Sequence, residues 1–154
     1  MLDYGRAKLA FDQIIDPSLN VDATLAEIDR LALRASALVD AGASPATKLS
    51  ALRRVFYESG DWNGGRPFSY DHADPMGQNV RNKLISTYLE TRRGNCVSMP
   101  ILFLIVGKRM GLNLALSTAP DGTVTFTRRH FSIGCGRVKV TVPFSGNCRR
   151  RPGA

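Results

Sequence analysis

The stretch from Val97 to Val106, V-S-M-P-I-L-F-L-I-V, is apolar on every side apart from Ser98, and Gly107-Lys108-Arg109 closes it. A helix of that composition has to be covered from all directions, so the remainder of the chain must be arranged around it. It has roughly half of the ~20 residues a membrane span requires, and it reads as a buried core helix. Pro100 is tolerated only near a helix start, since deeper in its ring would meet the preceding turn. The helix therefore opens at about Cys96, after a sharp turn at Gly94, with Asn95 or Ser98 as the cap. It runs to about Met110 and closes on Gly111.

Upstream the pattern is helical. The first helix is expected over Tyr4–Ile15, stopped by Asp16-Pro17. A second is expected from about Asp22 to Val39, with Leu25, Ile28, Leu31, Ala32, Ala35, Leu38 and Val39 at helical spacing and Asp22 as N-cap. A third opens with Ser44 and Pro45, buries Leu49, Leu52, Val55 and Phe56, and ends at Gly60. Gly60 to Gly77 reads as a loop whose Trp62, Phe68 and Tyr70 pin it to the core. A fourth helix is expected over about Asn79–Arg92, with Leu84, Ile85, Tyr88 and Leu89 inward and Gly94 as its breaker.

After the central helix the grammar changes. Leu112–Thr118, Thr123–Thr127 and Arg137–Val142 alternate or are β-branched, and Asp121-Gly122 suits a turn between the first two. Helices followed by strands predict an α+β fold, with a helical N-terminal half and a small antiparallel sheet packed on the central helix. A single domain over residues 1–145 is expected: a helical leader over 1–60, an aromatic and polar loop over 61–78 and a core over 79–145. The basic tail 146–154 has no apolar pattern and is expected to be disordered.

Charge is distributed unevenly. Residues 1–120 hold 14 basic and 12 acidic side chains, a balance of +2; residues 121–154 hold seven and one, a balance of +6, and together these give the net +8. Basicity thus belongs to the end of the chain. A solvated tail is the simpler reading, because no aromatic platform or known motif accompanies Arg149-Arg150-Arg151, and nucleic acid is not expected as a partner. The start of the chain carries Asp3, Arg6 and Lys8 and lacks the apolar core of a secretory signal. Cys96, Cys135 and Cys148 form no C-x-x-C pair, and an odd count argues for a reducing, cytoplasmic setting. His130, Cys135 and Cys148 match no zinc spacing, so neither a metal nor a cofactor is expected.

One residue type in this pattern points to chemistry. Cys96 stands at or just before the start of a buried helix, where unpaired N–H groups and the helix dipole favour negative charge. Such a position favours the thiolate, the nucleophilic form, and Arg92 and Arg93 would add to the effect if they point that way. A free cysteine is equally often a small core residue, and spacing alone leaves both readings open.

Three segments carry a resemblance: LSALRRVFYESGDWNGG, FSYDHADPMGQNVRNKL and, above all, STYLETRRGNCVSMPILFLIVGKRMGLNLALSTAP. From Leu49 to Pro120 the chain resembles the bacterial SirB-type branch of the transglutaminase-like superfamily, and residues 2–40 are similar to that branch's leading helices. The resemblance implies a papain-like arrangement in which a cysteine opens the central helix and a histidine lies on the following sheet. It places the nucleophile at Cys96 and implies thiol-dependent acyl transfer or hydrolysis on a peptide or protein amide.

The family's histidine is expected directly after the segment Ser117-Thr118-Ala119-Pro120, but the chain reads Asp121-Gly122-Thr123 there. A reading-frame slip, a truncation and divergence each produce such a break. His130, in a His-Phe-x-Ile phrase similar to the family's, is then the candidate base. Two adjacent arginines disfavour its imidazolium, and only Asn147 is left to orient the ring. His72 lies upstream in the polar loop and reads as a surface histidine or a partner of Asp71 or Asp74. The missing histidine implies impaired activity, or a non-catalytic regulatory or interaction module on the same fold.

Overall fold

The computed structural model describes residues 3–74, 77–118 and 138–141, with residues 117–118 and 138–141 as backbone alone. The expected strand at 123–127, its turn, the basic tail, His130, Cys135, Asn147 and Cys148 all lie outside the described residues.

Helix α1 spans Tyr4–Ile15, α2 Val21–Ser36 and α3 Pro45–Tyr57. Each starts on a side chain that accepts from the free N–H groups of its first turn. Asp3 takes Gly5 and Arg6, Asn20 takes Ala23, and Ser44 takes Thr47 with Pro45 behind it. The second helix thus begins on Asn20 and not on Asp22, which lies in its first turn and there suits the positive helix end. It also stops at Ser36, and α3 stops at Tyr57, short of Gly60.

The loop that follows is pinned by its aromatics as expected. Phe68 is buried and stacks on Phe56 at 4.8 Å, while the Trp62 indole N–H donates to Arg54 O at 3.2 Å. Strand β1, Ser69–Tyr70, then pairs in parallel with β2, Arg93–Gly94. Two residues are too few for alternation to announce a strand, so the sequence pattern gives no sign of this pair.

The fourth helix is shorter than its pattern suggests. A 3-10 turn over Val80–Lys83 precedes α4, Ile85–Thr91, and the break falls at Leu84. The cause lies on α1. Asp12, 1% exposed, accepts the Ile85 N–H at 2.9 Å and is ion-paired to Lys8, whose ammonium also reaches Lys83 O. A carboxylate from 73 residues away therefore caps α4. At the other end Arg92, not Gly94, takes the left-handed conformation (φ 61°). Gly94 is required for close approach: a Cβ there would stand 2.6 Å from both Ser98 Oγ and Tyr88 Cδ2.

Helix α5, Ser98–Arg109, is the central post, starting two residues beyond Cys96. Leu102, Phe103, Leu104, Ile105 and Val106 are all buried, and α1, α2, α3 and α4 pack around it. Each such side chain removed from water contributes about 1.5–3 kcal/mol before entropy is counted. Strand β3, Ala115–Thr118, pairs antiparallel with β4, Val138–Thr141, in the register Ala115↔Thr141, and both lie against α5. The fold is α+β, with one parallel and one antiparallel pair.

The Asp12 cap gives a direct test. Asp12→Ala leaves the Ile85 N–H without its acceptor and Lys8 without its counter-charge. It should lower the free energy of unfolding by about 2–4 kcal/mol, read from urea denaturation. A loss below about 0.5 kcal/mol would show that water replaces the carboxylate freely.

Candidate functional site

Cys96 is a free, half-buried thiol in the turn between β2 and α5. The turn is fixed by its neighbours on either side. Asn95 Oδ1 accepts from Val97 N at 2.9 Å and Ser98 N at 3.2 Å, satisfying two of the unpaired donors at the helix start. Ser98 Oγ accepts in return from Asn95 N at 3.1 Å and donates to Asn82 O at 2.8 Å. Asn95 and Ser98 thus cap each other, both fully buried, and the half-buried Cys96 and Val97 lie between them.

A second layer ties this turn to the loop before α4. The Asn82 amide, itself buried, donates to Asp71 Oδ2 and to Asp74 Oδ2, each at 2.9 Å. Asp71 N donates to Gly94 O at 2.8 Å, extending the β1–β2 pairing towards Cys96. Asp74 also receives the N–H groups of Gln78 at 2.8 Å and Asn79 at 3.1 Å. Burial opposes the charge on Asp74, but these donors outweigh it and hold its carboxyl below the usual value of 3.8.

The remaining side chains singled out from sequence fall differently. Arg92 carries its guanidinium to the face of Phe68, 4.2 Å from the ring centre, and so is not aimed at the thiol's turn. His72 is exposed and packs edge-on against Tyr70 at 5.2 Å, while the carboxylates of Asp71 and Asp74 serve Asn82 and the loop backbone. No hydrogen bond joins His72 to Cys96 among the described residues. The candidate base His130 and its orienter Asn147 lie outside those residues. Asn82, Asp71 and Asp74 are the supporting residues that sequence reasoning missed. Their only signal was the density of Asp and Asn in the loop, which reads equally well as turn chemistry.

Two measurements check this account. Ser98→Ala strands a buried N–H and a buried C=O at once and should cost about 1–3 kcal/mol in urea denaturation; a neutral substitution would mean that the cap is idle. Asp74 has a native value below its unfolded one, so its stabilisation is complete above about pH 4 and disappears as pH falls through the native value. Asp74→Asn should therefore be less stable than the parent at about pH 6, with the gap closing towards about pH 3; a constant gap would reject the charge as the cause.

With this geometry in view, one comparison bears on the class of protein. The family model of the transglutaminase-like superfamily matches residues 22–126, starting within α2 and running past Pro120. Neither the curated proteins nor the solved structures yield a match. A match over residues 22–126 covers α2 to β3 and the whole thiol-bearing turn, and this chain belongs to the transglutaminase-like superfamily.

Proposed function

We propose that the chain is a cytoplasmic protein of the SirB-type bacterial branch, one domain over residues 1–145. It keeps a thiol nucleophile at Cys96 for amide acyl transfer or hydrolysis on a peptide or protein substrate, with its proton transfer impaired. The observation that carries this reading is the free, half-buried Cys96 between the buried Asn95 and Ser98 at the mouth of α5. A cysteine retained merely as core filling would be buried.

The chemistry follows from that placement. The Cys96 thiolate adds to the amide carbonyl carbon, an S–C bond forms, and the carbonyl π electrons move to oxygen. Collapse of this adduct expels the amine, which must gain a proton as it leaves. In the reading proposed here that proton comes from an imidazole, with His130 as base and acid and Asn147 as its orienter. The sequence Asp121-Gly122-Thr123, in place of the family's histidine, supports the impairment. The same feature favours the alternative of a non-catalytic regulatory or interaction module.

An activated ester separates the two, because p-nitrophenolate leaves without a proton. p-Nitrophenyl acetate should give a stoichiometric burst with acetyl on the tryptic peptide 94–108, and Cys96→Ser should remove it. Peptide amides should turn over slowly or not at all, with His130→Ala lowering whatever turnover remains. A peptide 94–108 that stays unmodified would leave the non-catalytic reading.

A further inference from the structure

We infer that the side-chain amide of Asn95 binds the carbonyl oxygen of the acyl group presented to Cys96. This rests on the reading of Cys96 as nucleophile and supplies the group that recognises its substrate. Asn95 is 1% exposed, and its two amide ends have unequal fates. Oδ1 is saturated by the N–H groups of Val97 and Ser98, whereas Nδ2, with two hydrogens to donate, has no partner among the described residues.

Turning the amide over offers no relief. It would set the NH2 group against the N–H donors of Val97 and Ser98, so the orientation is fixed by the helix start itself. A buried donor left unmade costs about 1–3 kcal/mol, and here the cost is placed on the residue preceding the nucleophile.

What Nδ2 lacks is an acceptor, and an acyl substrate brings one. Gly77 lies beside it in a left-handed conformation (φ 63°), and a Cβ at that position would come within 3.6 Å of Nδ2. No hydrogen bond to the Cys96 N–H is made among the described residues, and that N–H is the second donor at the same turn. As thiolate addition moves charge onto the carbonyl oxygen, both donors strengthen their hold, and the α5 N-terminus favours the same charge. The match is to a neutral carbonyl that becomes anionic.

Two thiol reagents test this without a known substrate. With chloroacetamide the Cys96 thiolate displaces chloride, forming S–C, beside an amide carbonyl that Nδ2 can hold. With methyl methanethiosulfonate it displaces methanesulfinate, forming S–S, and no carbonyl is present. Rates are read on the peptide 94–108, since Cys135 and Cys148 also react. Asn95→Asp keeps the oxygen that caps α5 and removes the donor. Its added charge affects the thiolate towards both reagents alike, so the ratio of the rates isolates the carbonyl contact. That ratio should fall about five- to tenfold, the worth of one hydrogen bond.

Asn95→Ser, which also retains a capping oxygen, gives the same comparison should the aspartate variant not fold. An unchanged ratio at a reactive Cys96 overturns this inference alone and makes the amide a turn cap only. A Cys96 inert to both reagents in the unaltered chain overturns the nucleophile reading and this inference together.

Discussion

A helix buried on all sides cannot leave its first N–H groups to water, and the structure around Cys96 is arranged to meet that constraint. The start of α5 is sealed by Asn95 Oδ1 on Val97 and Ser98, and by the Ser98 hydroxyl between Asn95 N and Asn82 O. Each of these groups would be expensive if left unmade in the interior. Once they are made, the backbone from Gly94 to Ser98 has one conformation, and the thiol position comes with it. Gly94 belongs to the same constraint, because only a residue without Cβ lets Tyr88 and Ser98 close over it.

The sequence makes α1 and α3 legible because their caps are local. Asp3, Ser44 and Pro45 act within three residues of themselves, so a reader of the chain sees cap and helix together. The end of α4 shows the opposite case. Gly94 looks like the breaker, yet Arg92 supplies the left-handed turn. A buried aromatic face opposite that turn takes its guanidinium, and nothing within Arg92's own neighbourhood in the chain announces Phe68. The start of α4 is illegible for the same reason, since its cap is Asp12 on another helix. Helical periodicity continues through Leu84 and Ile85 and conceals the break.

The same rule divides the site. Cys96, Asn95 and Ser98 lie within one turn of each other, and the glycine, cap and proline around them place the thiol from sequence alone. Asn82 and its two aspartates come from a polar loop with no periodicity, and they acquire meaning only when the β1–β2 pair brings that loop to the helix mouth. That pair is two residues long on each side and leaves no pattern to read. The charge on Asp74 is then supported by backbone donors within its own loop, so it stiffens the segment that holds Asn82 without facing the thiol itself.

Presentation of the thiol and transfer of its proton draw on different parts of the chain. The side chains that fix the turn are Asp71, Asp74, Asn82, Asn95 and Ser98, all upstream of Pro120. The histidine expected of the family belongs downstream, where the chain reads Asp121-Gly122-Thr123 and turns strongly basic. Among the described residues, every hydrogen bond that fixes the turn at Cys96 is made upstream of Pro120. The geometry of the turn can therefore persist whatever the downstream part does, because Asn82, Asn95 and Ser98 are buried and the bonds between them satisfy the start of α5 whether or not any substrate is turned over. Retention of the turn is thus a consequence of folding, whereas activity rests on the half-buried thiol within it and on the base.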